Sequence, residues 1–301
     1  MSKLRFDGRV AIVTGAGRGI GRAYALLLAA RGASVVVNDL GGSISGDGSD
    51  TGPAAAVVDE IVAAGGAAIA DASDVSTPDG AQGLVGAAVE AFGPVDAVIA
   101  NAGIMRWAGM PDVDADDLDA HLAVHVGGSF HLVRAVWPSM AERGYGRIVL
   151  TTSSGVFGLP NNTAYATAKG GVIGLVRSLS VTGRRAGITV NAIAPGAFTR
   201  MAGRGDAPPE MAPELVAPMA AYLAHESCPV SGEIYTAGFG RFARLFIGST
   251  EGWVDDGGTP TPEDVAEHWS EVNDESGYTV PADLPDWSTS IMAHLGNTDD
   301  G

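Results

Sequence analysis

With 301 residues, 46% of them hydrophobic, the chain has enough apolar material for one large domain or two small ones around a sizeable core. Eighteen Lys and Arg face 35 Asp and Glu, a formal net charge of -17. Such a surface repels phosphate backbones and anionic lipid, which excludes nucleic acid and membrane as partners. The predicted elements begin with a buried strand, Val10–Thr14, a glycine turn and a helix over Ile20–Arg31. A second strand, Ser34–Asp39, leads into a Gly-, Ser- and Asp-rich loop over Leu40–Gly52, then a helix over Pro53–Ala64 and a third strand, Ala67–Asp71. A helix over Gly80–Phe92 precedes the strand Ala97–Asn101. A long helical region, Ala115–Arg143, is expected to bend at Gly127–Gly128. The strand Arg147–Thr152, the helix Ala164–Arg184 and the strands Thr189–Ala194 and Glu233–Ala237 complete the pattern.

Strands alternating with helices pair in parallel through right-handed crossovers. Runs such as Val35-Val36-Val37 and Val95–Ala100 suit strands buried on both faces. The expected architecture is α/β, a Rossmann-type doubly wound parallel sheet flanked by helices, over residues 1–240, with the ligand at the carboxyl ends of the strands. Residues 241–301, rich in Gly, Pro, Asp and Trp, carry one expected helix, Pro262–Asn273, started by Thr261-Pro262-Glu263. They are expected to form a C-terminal extension packed on the domain or on a partner subunit.

No run of about 18 apolar residues suggests a membrane span, and Met1–Val10 does not resemble a secretory signal. The single Cys228 allows no internal disulfide, is read as structural, and fits a reducing, cytoplasmic location. The six histidines lack ligand-like spacing, so no metal is expected.

Thr14-Gly15-Ala16-Gly17-Arg18-Gly19-Ile20-Gly21 lies where the first strand feeds the first helix. Gly15 permits the tight turn, and Gly19 and Gly21 permit close backbone approach. The helix amino terminus can then receive a pyrophosphate. Gly15, Arg18, Gly19, Ile20 and Gly21 are therefore candidate dinucleotide contacts. Asp39 ends the second strand, where a carboxylate can accept from both ribose hydroxyls and would repel a 2′-phosphate. No Arg or Lys follows in the next loop to offset that repulsion, so NAD is expected over NADP. Asp74-Val75 after the third strand could meet the adenine. Asn101-Ala102-Gly103 after the fourth could turn beneath the ribose, which adds Asn101 and Gly103.

Tyr165 and Lys169 are four apart at the start of a helix and share one face. A phenol with a pKa near 10 is a poor base at neutral pH, and a nearby ammonium favours the phenolate. The pair could move a proton while a nicotinamide moves a hydride. From Thr14–Gly21 through Asn101–Gly103 and Tyr165–Lys169 to Pro195-Gly196-Ala197-Phe198-Thr199, the chain resembles the short-chain dehydrogenase/reductase family over about residues 6–240. The resemblance implies that Ser153 orients the substrate oxygen and Tyr165 is the acid/base. It further implies that Lys169 also holds the nicotinamide ribose, and that Thr199 and the backbone near Pro195 hold the nicotinamide end. Thr152 and Ser154 remain alternatives to Ser153, because counting from Gly146 and from Tyr165 gives different positions. His125 stands where many members carry a structural asparagine. It could support a water chain to Lys169 or simply be a packed, satisfied histidine.

Val37–Gly42 with its long loop, Val124–Phe130, His225–Cys228 and the tail with Thr261–Glu263 and His268-Trp269 resemble, more narrowly, the (3R)-hydroxyacyl-CoA dehydrogenase part of peroxisomal multifunctional enzyme type 2. This implies oxidation of a 3-hydroxyacyl thioester with NAD, and an acyl-CoA as the small-molecule partner. A carboxyl terminus other than Ser-Lys-Leu points away from a peroxisomal address. Phe239, Phe242, Trp253 and Trp269 are candidate contacts for an acyl chain or for packing. By analogy with the family, a homodimer or homotetramer is expected. The alternatives are a dehydrogenase of steroids or other secondary alcohols, a 3-oxoacyl-carrier-protein reductase, or a non-catalytic dinucleotide-binding protein.

Overall fold

The Val- and Ile-rich runs, too short for helices and bounded by glycine, become strands in the computed structural model, which describes residues 3–297 except 202, 204, 206, 207 and 256. Two compact units result, Met1–Arg244 and Leu245–Gly301. In the first, β1 (Val10–Thr14), β2 (Ser34–Asn38), β3 (Ala67–Asp71), β4 (Ala97–Ala100), β5 (Gly146–Thr151), β6 (Ile188–Gly196) and β7 (Ile234–Gly238) pair in parallel. The short β8 (Arg241–Leu245) follows through Phe239-Gly240, and the strand order is β3-β2-β1-β4-β5-β6-β7-β8. The chain winds outward in one direction from β1 to β3 and in the other from β4, so the order reverses between β1 and β4. That reversal opens a crevice at the carboxyl ends of the strands.

Every residue of β1 and β4 is buried. These are the central strands, covered by helices on both faces, which explains their lack of polar alternation. The edge strand β3 is partly exposed. The helices are α1 (Gly19–Ala30), α2 (Gly52–Ala63), α3 (Pro78–Phe92), α4 (Ala115–His121), α5 (Gly128–Arg143), α6 (Thr163–Gly183) and α7 (Ala217–Leu223). Leu28 and Tyr24 of α1, Val57 and Ile61 of α2 and Leu223 of α7 pack with Val13, Val35, Val37 and Ile99 in one buried cluster.

The long helical region does break, but not at the glycines. Gly127 and Gly128 keep helical backbone, with φ of -58° at each. The break is a π-helical turn, Leu122–Gly127, between α4 and α5. The Ser129 hydroxyl donates to the His125 carbonyl at 2.7 Å just after this wider turn. The expected Pro262–Asn273 helix is likewise two pieces, α8 (Pro262–Glu267) and α9 (Trp269–Val272), divided at His268. Here the capping box of Thr261 and Asp264 sets the start, as the Thr-Pro-Glu signal requires. Sequence patterning did not anticipate α7, β8 or α10 (Leu284–Ile291). No described helix is long and apolar enough to cross a membrane.

Candidate active site

One cleft of about 730 Å³ lies along the carboxyl ends of the strands, and Gly15, Arg18, Gly19, Ile20, Gly21, Asp39, Asp74, Val75, Asn101, Gly103, Ser153, Tyr165, Lys169, Pro195 and Thr199 all line it. Residues up to 184 positions apart meet there because they lie at or beyond the carboxyl ends of six neighbouring strands, β1 to β6.

At one end the glycine turn is built for close approach. A Cβ on Gly21 would lie 2.2 Å from the Gly15 carbonyl oxygen, and one on Gly17 would lie 2.8 Å from Asp39 Oδ2. Thr14 and Asn101 hold this turn from below. The Thr14 hydroxyl accepts from the Asn101 and Ala102 N–H groups at 3.0 Å each, and the Asn101 amide donates to the carbonyls of Thr14 (3.0 Å) and Gly15 (3.2 Å). The α1 helix starts from Arg18 in extended backbone with no side-chain cap. Its first N–H groups and dipole are left for a ligand at the cleft wall. Asp39 is buried, with Oδ2 accepting from Gly17 N (2.8 Å) and Oδ1 from Gly41 N (2.7 Å). A carboxylate has about four acceptor sites, so two remain for ribose hydroxyls. The Asp74 carboxylate caps Ser76 N at 2.9 Å beside the buried Val75. A glycine cradle that added Cβ atoms would fill, an uncapped helix end and an acceptor beside them fit a dinucleotide.

At the other end Tyr165 and Lys169 rise from the first turns of α6. Asn162, buried at its N-cap, accepts from Ala166 N at 3.0 Å and aims the helix. Burial pushes the Tyr165 phenol up, while a hydrogen bond with Ser153 pulls it down. Lys169, also buried, donates to the Thr151 carbonyl at 2.7 Å, and burial lowers its ammonium to about 7. Its Nζ lies 5.6 Å from the Tyr165 ring centre. The expected lowering of the phenol by the ammonium is therefore not the leading effect: loss of solvation dominates both groups. Of the three candidate hydroxyls, Thr152 is buried and donates to the Lys169 carbonyl at 2.8 Å, and Ser154 is exposed, which leaves Ser153 beside the phenol.

His125 reaches the same wall from the π-helical turn. Its Nε2 lies 3.0 Å from the Ile104 carbonyl oxygen, and burial, then the Lys169 charge, hold its pKa well below the usual histidine value. The ring is thus neutral; Ile104 N also points at Nε2, at 3.4 Å, while Nδ1 is buried without a protein partner. His125 is half satisfied. Its ring meets Tyr165 edge-on at 5.3 Å, and a Cβ on Gly103 would lie 2.6 Å from it, so Gly103 makes room for the histidine. The neighbouring His121 is fully engaged, with Nδ1 on the Asp117 carbonyl and Nε2 accepting from Arg106 N.

Within the first unit, Phe239 and Phe242 do not line the cleft. Phe239, Phe242 and Trp269 are exposed, and Trp253 stacks on His268 at 4.3 Å. The apolar wall that the first unit supplies is Ile104, Met105, Trp107, Leu159 and Met201. Sequence reasoning also missed Thr14, Asn162 and Arg200. Asn162 alone carried a local signal, an N-cap residue just before a helical run. Cys228 is buried and its thiol is pushed up by that burial, as suits a structural cysteine. Among the described residues no group of His, Cys, Asp and Glu is arranged to hold a metal ion.

Residues 9–207 match the family model for short chain dehydrogenases. A Mycobacterium tuberculosis protein named for the short-chain type dehydrogenases/reductases is 44% identical over 277 residues, covering 90% of this chain and 96% of its own. The peroxisomal multifunctional enzyme type 2 of Mus musculus is 40% identical over 304 residues, covering 99% of this chain, which spans 41% of that enzyme. Among solved structures, a 7α-hydroxysteroid dehydrogenase complexed with NADH and 7-oxo glycochenodeoxycholic acid superposes with a TM-score of 0.71 at 33% identity, over 80% of this chain and 98% of that one. With its glycine turn, its tyrosine–lysine helix and its parallel sheet, the chain belongs to the short-chain dehydrogenase/reductase family, dinucleotide-binding oxidoreductases acting on CH–OH groups.

Proposed function

We propose that the chain oxidises 3-hydroxyacyl-CoA thioesters to the 3-keto form with NAD, using Ser153, Tyr165 and Lys169. The observation that carries this reading is the convergence of Ser153, the Tyr165 phenol and Lys169 on one cleft whose other end presents Asp39 behind a glycine turn. The residues that would hold the dinucleotide are Gly15, Arg18, Gly19, Ile20 and Gly21 at its pyrophosphate, Asp39 at the adenosine ribose, and Asp74, Val75, Asn101 and Gly103 around the adenosine. Lys169, Tyr165, Pro195 and Thr199 would hold its nicotinamide end. When bound, the nicotinamide supplies the hydride acceptor. Ser153 donates to the substrate oxygen and orients it. The Tyr165 phenolate takes the hydroxyl proton, and the Lys169 ammonium, held by the Thr151 carbonyl, favours that phenolate.

Asp39 supports NAD over NADP, since its buried carboxylate would face a 2′-phosphate. The apolar wall of Ile104, Met105, Trp107, Leu159 and Met201 supports a substrate with an acyl chain, in line with the relatives named as multifunctional enzymes. A cytoplasmic homodimer or homotetramer, with residues 241–301 packed on the domain or a partner subunit, completes the proposal. Fractionation and light scattering of the eluted protein test the location and the oligomer.

The deciding experiment is reduction of NAD with (3R)- and (3S)-3-hydroxyacyl-CoA, beside simple secondary alcohols and a hydroxysteroid. Turnover concentrated on one hydroxyacyl-CoA epimer is expected. Equal kcat/KM on alcohols lacking CoA would overturn the thioester reading, preference for the hydroxysteroid would replace it, and NADH binding without turnover on any of them would make the chain a non-catalytic binder.

A further inference from the structure

Part of the apolar wall is carried by a short segment after β4, residues 104–107, that belongs to no helix or strand. No ladder of its own holds it, so its position is set by what it bonds to on either side. On one side stand two histidines. Arg106 N donates to His121 Nε2 at 3.2 Å, and His125 Nε2 lies 3.0 Å from the Ile104 carbonyl oxygen. Their rings stack at 5.7 Å, and both meet the Tyr165 ring edge-on, at 6.1 Å and 5.3 Å. On the other side lies the long loop after β2. Met105 N donates to the Ile44 carbonyl at 2.8 Å and Arg106 Nε to the Ser45 carbonyl at 3.0 Å. The approach is close: a Cβ on Gly46 would lie 3.0 Å from Ile104 Cγ2.

That loop is anchored at the dinucleotide end of the cleft. Asp39 Oδ1 accepts from Gly41 N at 2.7 Å, Asp50 N donates to the Leu40 carbonyl at 2.9 Å, and Ser43 N donates to the Asp47 carbonyl at 2.8 Å. Residues 43–47 thus form a closed tip on a short neck. Arg200 Nη1, from the segment after β6, adds a bond to the Gly42 carbonyl at 3.1 Å. Gly42, Ser43 and Gly46 line the cleft. One unbroken set of contacts therefore runs from Asp39 through the loop tip to Ile104 and Met105, and on through the histidines to Tyr165.

We propose that Arg106 is a positioning residue: it fastens the apolar wall to the loop after β2, so that a dinucleotide bound against this loop sets the wall and raises affinity for the alcohol. The proposal rests on the NAD-dependent 3-hydroxyacyl-CoA reading above. Arg106 does not itself line the cleft and acts through Ile104, Met105 and Trp107, which do. The Met105 bond to the loop is main chain, and no side-chain change removes it. The Arg106 bond is charge-assisted, and its guanidinium also lies 3.7 Å from the Asp117 carboxylate of α4. One side chain thus joins α4, the wall and the loop. The coupling must be reciprocal, with dinucleotide and substrate raising each other's affinity by one factor.

NADH and a 3-hydroxyacyl-CoA are both reduced, so their ternary complex cannot react and reads binding alone. The test is fluorescence titration of NADH, with and without the 3-hydroxyacyl-CoA epimer that the wild type oxidises. It is run on wild type, Arg106→Met, Arg106→Lys and Gly46→Ala, with circular dichroism and thermal melts to check folding. Saturating hydroxyacyl-CoA is expected to lower the wild-type Kd for NADH about tenfold, and that of Arg106→Met less than about twofold. The Kd of Arg106→Met for NADH alone should stay within about threefold of wild type, and its KM for hydroxyacyl-CoA should rise about tenfold with kcat changed less than about threefold. Arg106→Lys, which keeps the charge beside Asp117 without the directed Nε–H, should show intermediate coupling. Gly46→Ala forces a Cβ toward Ile104 at a φ of +95° and should also weaken the coupling, which keeps the test open should Arg106→Met fail to fold. Full coupling in the folded variants, a wild type without coupling, or equal loss of NADH affinity with and without hydroxyacyl-CoA would overturn the proposal. A wild type that binds neither hydroxyacyl-CoA epimer in calorimetry would overturn the thioester reading instead, and the same titrations with a hydroxysteroid would then decide the role of Arg106.

Discussion

In the proposed reaction two side chains of α6, Tyr165 and Lys169, concentrate the chemistry, and both sit where water is scarce. Tyr165→Phe removes the transferable proton while keeping the ring that meets His125 edge-on. Its kcat is expected to fall by about 10²-fold or more, with NADH affinity changed less than about twofold; steady-state kinetics beside NADH titration checks both. Lys169 gives a stability prediction with a definite sign. Burial lowers its folded pKa from the ordinary lysine value, 10.5, to about 7. Between those values the unfolded chain binds more protons than the folded one, so this group's contribution to stability rises with pH. At and below pH 7 its full burial penalty is present; toward pH 10.5 the penalty disappears. Lys169→Met is thus expected to abolish turnover and to raise Tm relative to wild type most near pH 7, with the difference shrinking toward pH 10. A difference independent of pH in thermal melts would contradict that.

At the level of elements, three local devices aim the site: the glycine turn before α1, the π-helical turn before α5 and the Asn162 cap of α6. Gly21→Ala puts a Cβ 2.2 Å from the Gly15 carbonyl oxygen, which is main chain and cannot swing away. The turn must open, and NADH affinity should drop more than about tenfold, since the α1 amino terminus moves off the phosphate position. Asn162→Ala removes the bond to Ala166 N. It should cost about 1 kcal/mol of stability and lower kcat while leaving KM for NAD unchanged, because Tyr165 lies one turn from the cap. Chemical denaturation and kinetics on the same protein separate the two effects.

Across the whole sheet the two ends of the strands do different work. Chemistry gathers at the carboxyl ends of the strands. At the amino ends, Asp96 just before β4 accepts from Val10 N at 3.0 Å and Arg143 at 2.7 Å, with Arg9 3.5 Å away. Tyr145 lies between the guanidinium groups of Arg9 (4.1 Å) and Arg147 (4.4 Å). Asp96 is buried but both arginines are partly exposed, so Asp96→Ala should cost about 2 kcal/mol, less than loss of a fully buried partner. Urea unfolding would show the cost, and kcat per folded molecule should stay at the wild-type value.

Much of this architecture was legible in the sequence by itself, because its signals are local. Short valine-rich runs between glycines mark β1 and β2, Thr261-Pro262-Glu263 marks the start of α8, and the four-residue spacing of Tyr165 and Lys169 puts both on one helical face. Other features depend on which segments meet, and only the tertiary structure decided them. The π-helical turn that presents His125 has no local breaker, since Gly127 and Gly128 stay helical. Ser153 stands apart from Thr152 and Ser154 only because folding buries one, exposes the other and leaves Ser153 at the phenol. Arg200 lies far along the chain from Gly42, and no local pattern records that the loops after β2 and β6 meet across the cleft. Periodicity reports which way a residue faces on its own element; charge and hydrogen-bond partners across a crevice depend on strand order, which a single stretch of sequence does not carry.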